Sequence, residues 1–370
     1  MSPPGAGRCQ EWLARKNRCC GQAVVAGGGD RCVFHAPSVG DGAGRVQCGP
    51  CKTWMSAESF RRHSRGHCPF MKVEQKIRCQ PYYQENCNSA VRSCGAETDT
   101  APSDGVTNER LLEIYQAVVD PDDDVESKDY FELGEGAITP SVKHGAQHRA
   151  ILSHVGTEPF ASVVEMGAGK ADLLEAILSS RQRGSRDAIS GVAIDMTTFH
   201  HSADPRLRRL CQYRRVTINL RDLALKAINL PTPACAVSKH LCGVGLDFAF
   251  RAIVNAGSGI VALLAMAPCC YHKCTWQELT GRDLLEDHGV KPHEFAEICR
   301  RASWSTQLDA DVMDERKFNV GRSCKRIIDV CRLSYLRRNG FPDARLVAYV
   351  DSRITTENML IIAKRSPISK

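Results

Sequence analysis

The segment that decides the fold is Ser162-Val-Val-Glu-Met-Gly-Ala-Gly-Lys170, which runs directly into the helix-like Ala171-Asp-Leu-Leu-Glu-Ala-Ile-Leu-Ser-Ser180. Its β-branched start predicts a buried strand, and the periodic apolar residues that follow predict a helix. Gly167 and Gly169 predict a tight loop between them, where the missing side chains let the backbone approach a ligand. The segment therefore indicates a strand–loop–helix unit of an α/β sheet.

The chain from about residue 141 onward repeats this alternation. A helical segment at 147–155 comes before the first strand, and further strands are predicted at 191–195, 215–220, 234–238, 259–267, 346–351 and 359–363. The last two form an apolar hairpin. Strands joined by helices and closed by a terminal strand pair are the pattern of class I S-adenosylmethionine-dependent methyltransferases, a Rossmann-like α/β fold.

Acidic residues lie where such a fold places its cofactor. Glu165 precedes the glycine loop, Asp195 ends the second strand, and Asp222 follows the third. The third glycine of the dinucleotide fingerprint is absent, which argues against NAD. Carboxylates suit the ammonium and sulfonium groups of S-adenosylmethionine, with Asp195 placed for the ribose diol and Asp222 for the adenine amino group. We therefore predict S-adenosylmethionine bound by Glu165, Gly167, Gly169, Asp195 and Asp222.

Composition limits the remaining classes. The chain has 370 residues, of which 43% are apolar and 25% charged, with a net charge of +7. A stretch of about 18 apolar residues, as a membrane span needs, is absent, and the first residues do not resemble a secretory signal. We expect an intracellular protein, nuclear or cytoplasmic, that is neither secreted nor in a membrane. The net charge is +6 over residues 1–100, −9 over 101–140 and +10 over 141–370. The two basic blocks indicate either a polyanion partner, nucleic acid before anionic lipid, or a solvated surface, and charge alone does not choose between them.

Cysteines divide the chain. Ten of the 19 fall in residues 1–100, which indicates metal binding rather than disulfides in an intracellular chain. We predict a Cys3His zinc finger at 1–40, a CHHC-like finger with an extension at 41–94, an acidic linker with a short helix at 95–140, and the methyltransferase domain at 141–370.

The first finger has Cys9, Cys20, Cys32 and His35 as its predicted ligands, with Cys19 left over. Cys32 and His35 are separated by two residues, so a tight turn can direct both at one tetrahedral ion. A module this small and rich in glycine buries too little apolar surface to fold alone, and zinc supplies the missing stability.

The second finger begins with the pair Cys48-Gly-Pro-Cys51 and continues into a predicted helix at 59–67, capped by Ser56 or Ser59. Its ligands are predicted as Cys48, Cys51, His63 and either His67 or Cys68. A reduced, partly buried set of thiols is the alternative for the first cluster.

Two further motifs follow the fourth and fifth strands, Ser238-Lys-His-Leu-Cys-Gly243 and Pro268-Cys-Cys-Tyr-His-Lys-Cys274. Their place at the strand ends predicts an active-site lining. A third zinc site within 269–274 is one interpretation, and packed reduced thiols are the other. The later motif Gly321-Arg-Ser-Cys-Lys-Arg326 is predicted to be a basic turn that meets phosphate, or else a solvated helix start.

Together these motifs resemble the eukaryotic tRNA methyl-4-X modification enzyme family. The resemblance covers nearly the whole chain and rests on both fingers, QPYYQEN (80–86), EMGAGK (165–170), AID (193–195), SKHLCG (238–243), CCYHKC (269–274), GRSCKRIIDVCR (321–332) and ENMLIIAKR (357–365). It implies a tRNA methyltransferase that modifies the ribose 2′-hydroxyl of the nucleotide at position 4 of the acceptor stem, with tRNA as partner and no obligate protein partner. A ribose hydroxyl is a poor nucleophile at neutral pH and needs a base, so we predict Lys239 or His240 as the base or hydroxyl-orienting group, with His272 as the next candidate.

The sequence departs from the family at four residues. The family has histidine where Cys51 stands, glycine at Ala171, arginine at Met196 and aspartate at Asn219. Two alternatives therefore stay open, a methyltransferase acting on another RNA and a non-catalytic RNA-binding protein with a degenerate methyltransferase fold.

Overall fold

The computed structural model describes residues 12–13, 18–19, 45–47, 54–63, 69–90, 105–121, 140–156, 158–182, 189–197, 202–306 and 314–366. The chain divides into two compact units, Met1–Gln80 and Pro81–Lys370.

The first unit contains two short antiparallel strand pairs, β1 (Trp12–Leu13) with β2 (Arg18–Cys19) and β3 (Arg45–Gln47) with β4 (Trp54–Ser56). Helices α1 (Ala57–Arg62) and α2 (Pro69–Arg78) follow. The Ser56 hydroxyl accepts the Ser59 backbone N–H at 3.2 Å and so caps α1. The helix therefore begins at Ala57 rather than at the predicted residue 59, and its described part ends at Arg62.

The second unit is built on a seven-stranded sheet in the described part of the chain. Its strands are β5 (Ser162–Met166), β6 (Ser190–Asp195), β7 (Tyr213–Thr217), β8 (Ala234–Cys242), β9 (Val261–Cys269), β10 (Arg345–Ala348) and β11 (Met359–Lys364). The order across the sheet is β10-β11-β9-β8-β5-β6-β7. Strands β5 to β9 pair in parallel, whereas β11 runs antiparallel to both β9 and β10. The predicted α/β fold with its terminal hairpin is confirmed.

Helices connect and cover these strands. They are α3 (Asn108–Val118), α4 (Pro140–Val155), α5 (Asp172–Gln182), α6 (Asp204–Leu210), α7 (Val244–Asn255), α8 (Asp283–Asp287), α9 (Pro292–Ala302) and α10 (Glu315–Arg338). One apolar core forms where α4 and α5 pack on the sheet, and a second forms among α3, α9 and α10. No helix in the described residues is long and apolar enough to cross a bilayer.

The third strand differs from its predicted position at 215–220. It spans Tyr213–Thr217, and Leu220–Asp222 forms a short 3₁₀ turn instead. The Asn219 side chain accepts the Arg221 backbone N–H at 3.0 Å and caps this turn, which ends the strand before Leu220.

Helix α3 is part of the second unit and not of a separate linker. Leu111, Ile114 and Val118 are buried on one face and pack in the core with α9 and α10. Their spacing of three and four residues is that of an amphipathic helix. The acidic composition around the helix suggested a linker, but its apolar face is needed to close the core.

The predicted basic turn at 321–326 is instead the interior of α10. Lys325 is buried, and its Nζ donates to Ser305 O at 3.1 Å and pairs with Glu357 at 3.1 Å. A Cβ at Gly321 would lie 2.7 Å from the Ser305 backbone nitrogen, so the glycine allows this close packing. We expected the Lys325 charge at a solvated surface, but it is paired with partners inside the protein.

Candidate active site

The glycine loop after β5 has the conformation that its sequence predicts. Gly167 and Gly169 have φ of +69° and +51°, in the left-handed region that favours glycine. A Cβ at Gly167 would lie 2.7 Å from Leu241 Cδ1, whereas a Cβ at Gly169 would meet no atom within 4 Å. The loop thus packs closely on β8 at one glycine and faces open space at the other.

Two of the predicted carboxylates adjoin this loop. Asp195 ends β6, and its Oδ2 accepts the Gly169 N–H at 2.8 Å while its Oδ1 accepts the Thr197 N–H at 3.0 Å. A carboxylate has about four acceptor positions, so Asp195 keeps capacity for a ligand hydroxyl. Glu165 is buried within β5 and accepts the Leu174 N–H of α5 at 3.0 Å. Burial raises the pKa of Glu165 to about 8, so its carboxyl carries a proton at neutral pH.

Three departures from the family pattern follow the first three strands of the sheet unit, β5, β6 and β7. Ala171 has φ of +64°, where an L-residue is strained, so the family's glycine at this position has a conformational reason. Met196 is 66% exposed, so an arginine would fit there without repacking. Asn219 caps its turn through a side-chain oxygen, and an aspartate can make the same hydrogen bond.

Asp222 has partners inside the second unit. Its Oδ1 accepts the Asn86 N–H at 2.7 Å and the Arg221 Nε–H at 3.2 Å. The neighbouring Asn88 Nδ2 donates to Leu220 O at 2.7 Å. These contacts attach residues 81–90, which include most of the QPYYQEN motif, to the turn after β7. They favour a structural role for Asp222, and its adenine contact stays a prediction.

A bulge near the end of β8 shapes the next part of the site. Lys239 pairs with Ala267 and Leu241 with Pro268, so His240 is an extra residue, and it adopts φ of +62°. Lys239 Nζ lies 3.1 Å from His144 Nδ1 on α4. The bulge therefore places the Lys239 amine beside an imidazole at the carboxyl edge of the sheet.

Burial sets the charge of this group. It lowers the pKa of Lys239, and it lowers the pKa of His148 to about 3 and of His240 to about 4, with the nearby Lys239 charge adding to both histidine shifts. His144 shifts in the same direction for the same reasons. Neutral imidazoles therefore surround Lys239 at pH 7.

Three thiols come together beside this group. Cys242 ends β8, Cys269 ends β9, and Cys270 follows with φ of +49°. Their Sγ atoms all lie within 4.8 Å of one another, and Cys242 and Cys269 are separated by 3.1 Å. The hydrogen bond from Cys269 lowers the pKa of Cys242 to about 6 and raises that of Cys269. The thiols line a cavity of about 270 Å³ together with His240, His272 and Glu357.

Cys274, from the same motif, has a different environment. It is buried in the second core, where Arg332 Nη2 contacts its Sγ at 3.2 Å. Arg332 also pairs with Asp247 at 2.8 Å and donates to Gly243 O at 3.2 Å. A Cβ at Gly243 would lie 2.9 Å from the Lys273 backbone carbon. These contacts hold the two cysteine motifs against each other and against α10.

The predicted zinc ligands lie almost entirely outside the described residues. These are Cys9, Cys20, Cys32, His35, Cys48, Cys51, His67 and Cys68. His63 is described and directly follows α1.

Sequence reasoning missed three side chains at the site. His144 and His148 lie four residues apart on α4, a spacing that was visible but belonged to no recognised motif. Glu357 opens the ENMLIIAKR motif and lines the thiol cavity, and its buried Oε2 has no hydrogen-bond partner among the described residues.

The strand order, with its antiparallel seventh strand and its glycine loop at the carboxyl edge, defines a class I methyltransferase fold. A family model described as Methyltransferase TRM13 matches residues 146–317 and 309–364, which is more than half of the chain. The chain belongs to this family, and it is a methyltransferase enzyme. The resemblance identified from the motifs is confirmed.

Two of the curated relatives match along nearly their whole length. The tRNA:m(4)X modification enzyme TRM13 of Eremothecium gossypii is 26% identical over 431 residues, covering 98% of this chain and 96% of its own. The homolog of Homo sapiens is 22% identical over 470 residues, covering 97% and 95%. A solved coclaurine N-methyltransferase covers 83% of this chain with a TM-score of 0.31, which is too low to carry an argument.

Proposed function

We propose that the protein transfers a methyl group from S-adenosylmethionine to the ribose 2′-hydroxyl at position 4 of the tRNA acceptor stem. The observation that carries this proposal is the juxtaposition at one sheet edge of a cofactor-type glycine loop and a half-buried lysine, in a chain of the TRM13 family. The relatives' names supply tRNA as the substrate class.

The carboxyl ends of β5 and β6 fit the cofactor. The open space at Gly169 leaves room for a ligand against the backbone, and Asp195 retains acceptor positions for a ribose diol. Glu165 stands behind the loop, and its carboxyl accepts the Leu174 N–H and fixes the first turn of α5. Because this carboxyl is buried and protonated, we assign it to holding the loop and not to pairing with the cofactor's cationic groups. When bound, S-adenosylmethionine supplies an activated methyl group on a sulfonium.

Lys239 is the group we assign to the proton of the ribose hydroxyl. Burial lowers the pKa of its amine, which brings it nearer to the operating pH, where a general base works best. The neutral amine accepts the proton as the hydroxyl oxygen bonds to the methyl carbon and the carbon–sulfur bond breaks. His144 Nδ1, 3.1 Å away, orients the amine. His240 and His272 line the adjoining cavity and are assigned to orienting the ribose.

Recognition of the RNA is assigned to shape and phosphate contacts. A-form RNA presents its 2′-hydroxyls in a shallow minor groove, which proteins recognise mainly through the backbone. The net charge of +10 over residues 141–370 suits such contacts. Binding should therefore weaken steeply as salt rises.

The two N-terminal zinc fingers, at 1–40 and 41–94, remain part of the proposal. Their ligand sets are Cys9, Cys20, Cys32 and His35, and then Cys48, Cys51 and His63 with His67 or Cys68. The capped helix α1 that leads into His63 supports the second set, because a finger commonly carries ligands on or after a short helix.

The test is methyl transfer from labelled S-adenosylmethionine to unmodified tRNA transcripts, followed by mapping of the label. The expected result is label on a ribose 2′-oxygen at position 4, with loss of transfer when that nucleotide is 2′-deoxy. Label on a base or on another RNA would overturn the proposed acceptor. Absence of transfer by folded protein that binds the cofactor would favour the non-catalytic alternative.

A further inference from the structure

The thiol cluster of Cys242, Cys269 and Cys270 is assembled by local backbone distortions. Because His240 is bulged out of β8, Cys242 rather than Leu241 lies opposite Cys269. Cys270 then adopts φ of +49°, a left-handed conformation that costs a non-glycine residue free energy. Two strained residues, His240 and Cys270, therefore accompany the arrangement that gathers three sulfur atoms at one point.

The distances fit one tetrahedral metal ion. Zinc binds thiolates at about 2.3 Å, which separates the sulfur atoms of a tetrahedral site by about 3.8 Å. The shortest observed separation is 3.1 Å, and all three sulfurs lie within 4.8 Å of one another. Small side-chain rotations are enough to reach the metal-bound distances.

The surroundings differ from those of a structural core cysteine. Cys235, Cys324 and Cys331 are buried among apolar side chains, whereas Cys242 is exposed. The cluster also opens onto the cavity that holds His240, His272 and Glu357, all of which offer donor atoms. Reduced thiols that only pack against their neighbours would not need three sulfur atoms to converge at an accessible surface.

We propose that Cys242, Cys269 and Cys270 bind a zinc ion at the carboxyl ends of β8 and β9, with its fourth coordination position facing the cavity. Three thiolates and one zinc ion carry a net charge of −1, and the positive charge of Lys273, which acts on the Cys242 thiol, offsets it. The protons of the three thiols pass to solvent on binding. The ion links the end of β8 to the loop after β9, which the Gly243 N–H to Cys269 O hydrogen bond joins at 3.0 Å. This centre is separate from both N-terminal fingers and lies inside the catalytic unit.

The first test is the zinc content per chain of the full-length protein, measured by inductively coupled plasma mass spectrometry. Cys242→Ser and Cys270→Ser should each lower the content by about one zinc ion per chain relative to the wild type. The matched control is Cys211→Ser, a half-buried thiol beside β6 that should leave the content unchanged. Circular dichroism and melting temperature establish that each variant is folded.

The second test follows alkylation of individual thiols by iodoacetamide in the wild-type protein, mapped by mass spectrometry. Cys242 and Cys270 should be protected until a chelator is added, whereas the exposed Cys79 should react at once. Unchanged zinc content in both folded variants would overturn the proposal. Recovery of a Cys242–Cys269 disulfide from the native protein would also overturn it and would identify a redox pair instead.

Discussion

At the carboxyl ends of β5 and β6 the sheet carries glycines and carboxylates, whereas at the ends of β8 and β9 it carries an amine, imidazoles and thiols. We name these the cofactor half and the transfer half. In the cofactor half, the Asp195 carboxylate accepts hydrogen bonds from its neighbours and the backbone is fixed. In the transfer half, burial lowers the pKa values of an amine and of imidazoles, and His240 and Cys270 have a positive φ. The cofactor half has one counterpart of each kind, the raised pKa of Glu165 and the positive φ of Ala171.

The two halves separate two tasks, cofactor binding and proton transfer, along one edge of the sheet. Holding a cofactor needs fixed donors and acceptors, which a strand–loop–helix turn supplies. Moving a proton needs a group whose pKa the protein can shift, which burial supplies. Substitutions in the cofactor half should therefore weaken cofactor binding, whereas substitutions in the transfer half should slow methyl transfer.

The largest effect is expected in the transfer half. Lys239→Met should lower kcat for methyl transfer by about 10²–10⁴-fold, because it removes the proposed base. Its affinity for S-adenosylhomocysteine, measured by calorimetry, should be unchanged. Lys239→Arg should be as slow as Lys239→Met, since a guanidinium does not give up its proton at neutral pH.

Lys143→Met is the matched control for this prediction, because Lys143 also places a positive charge near the site. Its kcat should stay near that of the wild type. Recovery of activity in Lys239→Arg would mean that the residue contributes charge and not a base.

The next effect is expected in the cofactor half. Asp195→Ala should weaken binding of S-adenosylhomocysteine by at least about 10²-fold, since two hydrogen bonds to a charged carboxylate are worth about 1.5–3 kcal/mol each. Asp351→Ala removes a carboxylate elsewhere in the same unit and should leave affinity unchanged. Equal affinities in Asp195→Ala and the wild type would show that the cofactor does not bind in this half.

The smallest effect concerns stability and pH. Because the pKa of Glu165 is raised from 4.5 to about 8, the folded protein keeps a proton that the unfolded chain has released. Stability should therefore fall as pH rises toward 8, by up to about 1.4 kcal/mol per pH unit. The depressed pKa values of His148 and His240 act only below their ordinary value of 6.5, where the unfolded chain takes up protons.

The window from pH 6.5 to 8 contains the Glu165 titration, but the lowered pKa of Cys242, about 6, acts there in the opposite direction. The Glu165 contribution is therefore the difference between the wild type and Glu165→Gln. In urea unfolding across this window, the wild type should lose roughly 2 kcal/mol more stability than Glu165→Gln does. Glu165→Gln should flatten this slope while keeping an acceptor for the Leu174 N–H. The same slope in both proteins would show that Glu165 is ionised when folded.

The sequence predicted the sheet well because its strands are apolar runs bounded by loops, and parallel topology orders such units strongly. It also predicted that the candidate residues of both halves follow strand ends, as the structure has them, while their roles stay predictions. It misplaced the third strand because the turn at Leu220–Asp222 depends on the Asn219 cap.

Other features were not predicted because they depend on tertiary contacts, which the composition of a segment does not indicate. The acidic residues around α3 concealed an apolar face at Leu111 and Ile114, which closes the second core. Lys325 was expected at a surface, yet it is buried because Ser305 and Glu357 accept its hydrogen bonds. His144 comes to Lys239 from a helix nearly a hundred residues away in the chain, a contact that no local pattern predicts.

The most direct test of the separation between the two halves is single-turnover methyl transfer to unmodified tRNA at rising S-adenosylmethionine concentration. Asp195→Ala should approach the wild-type rate once the cofactor is saturating. Lys239→Met should remain slow by about 10²-fold or more at every concentration. Rescue of Lys239→Met by cofactor, or failure to rescue Asp195→Ala, would contradict the assignment of the two halves.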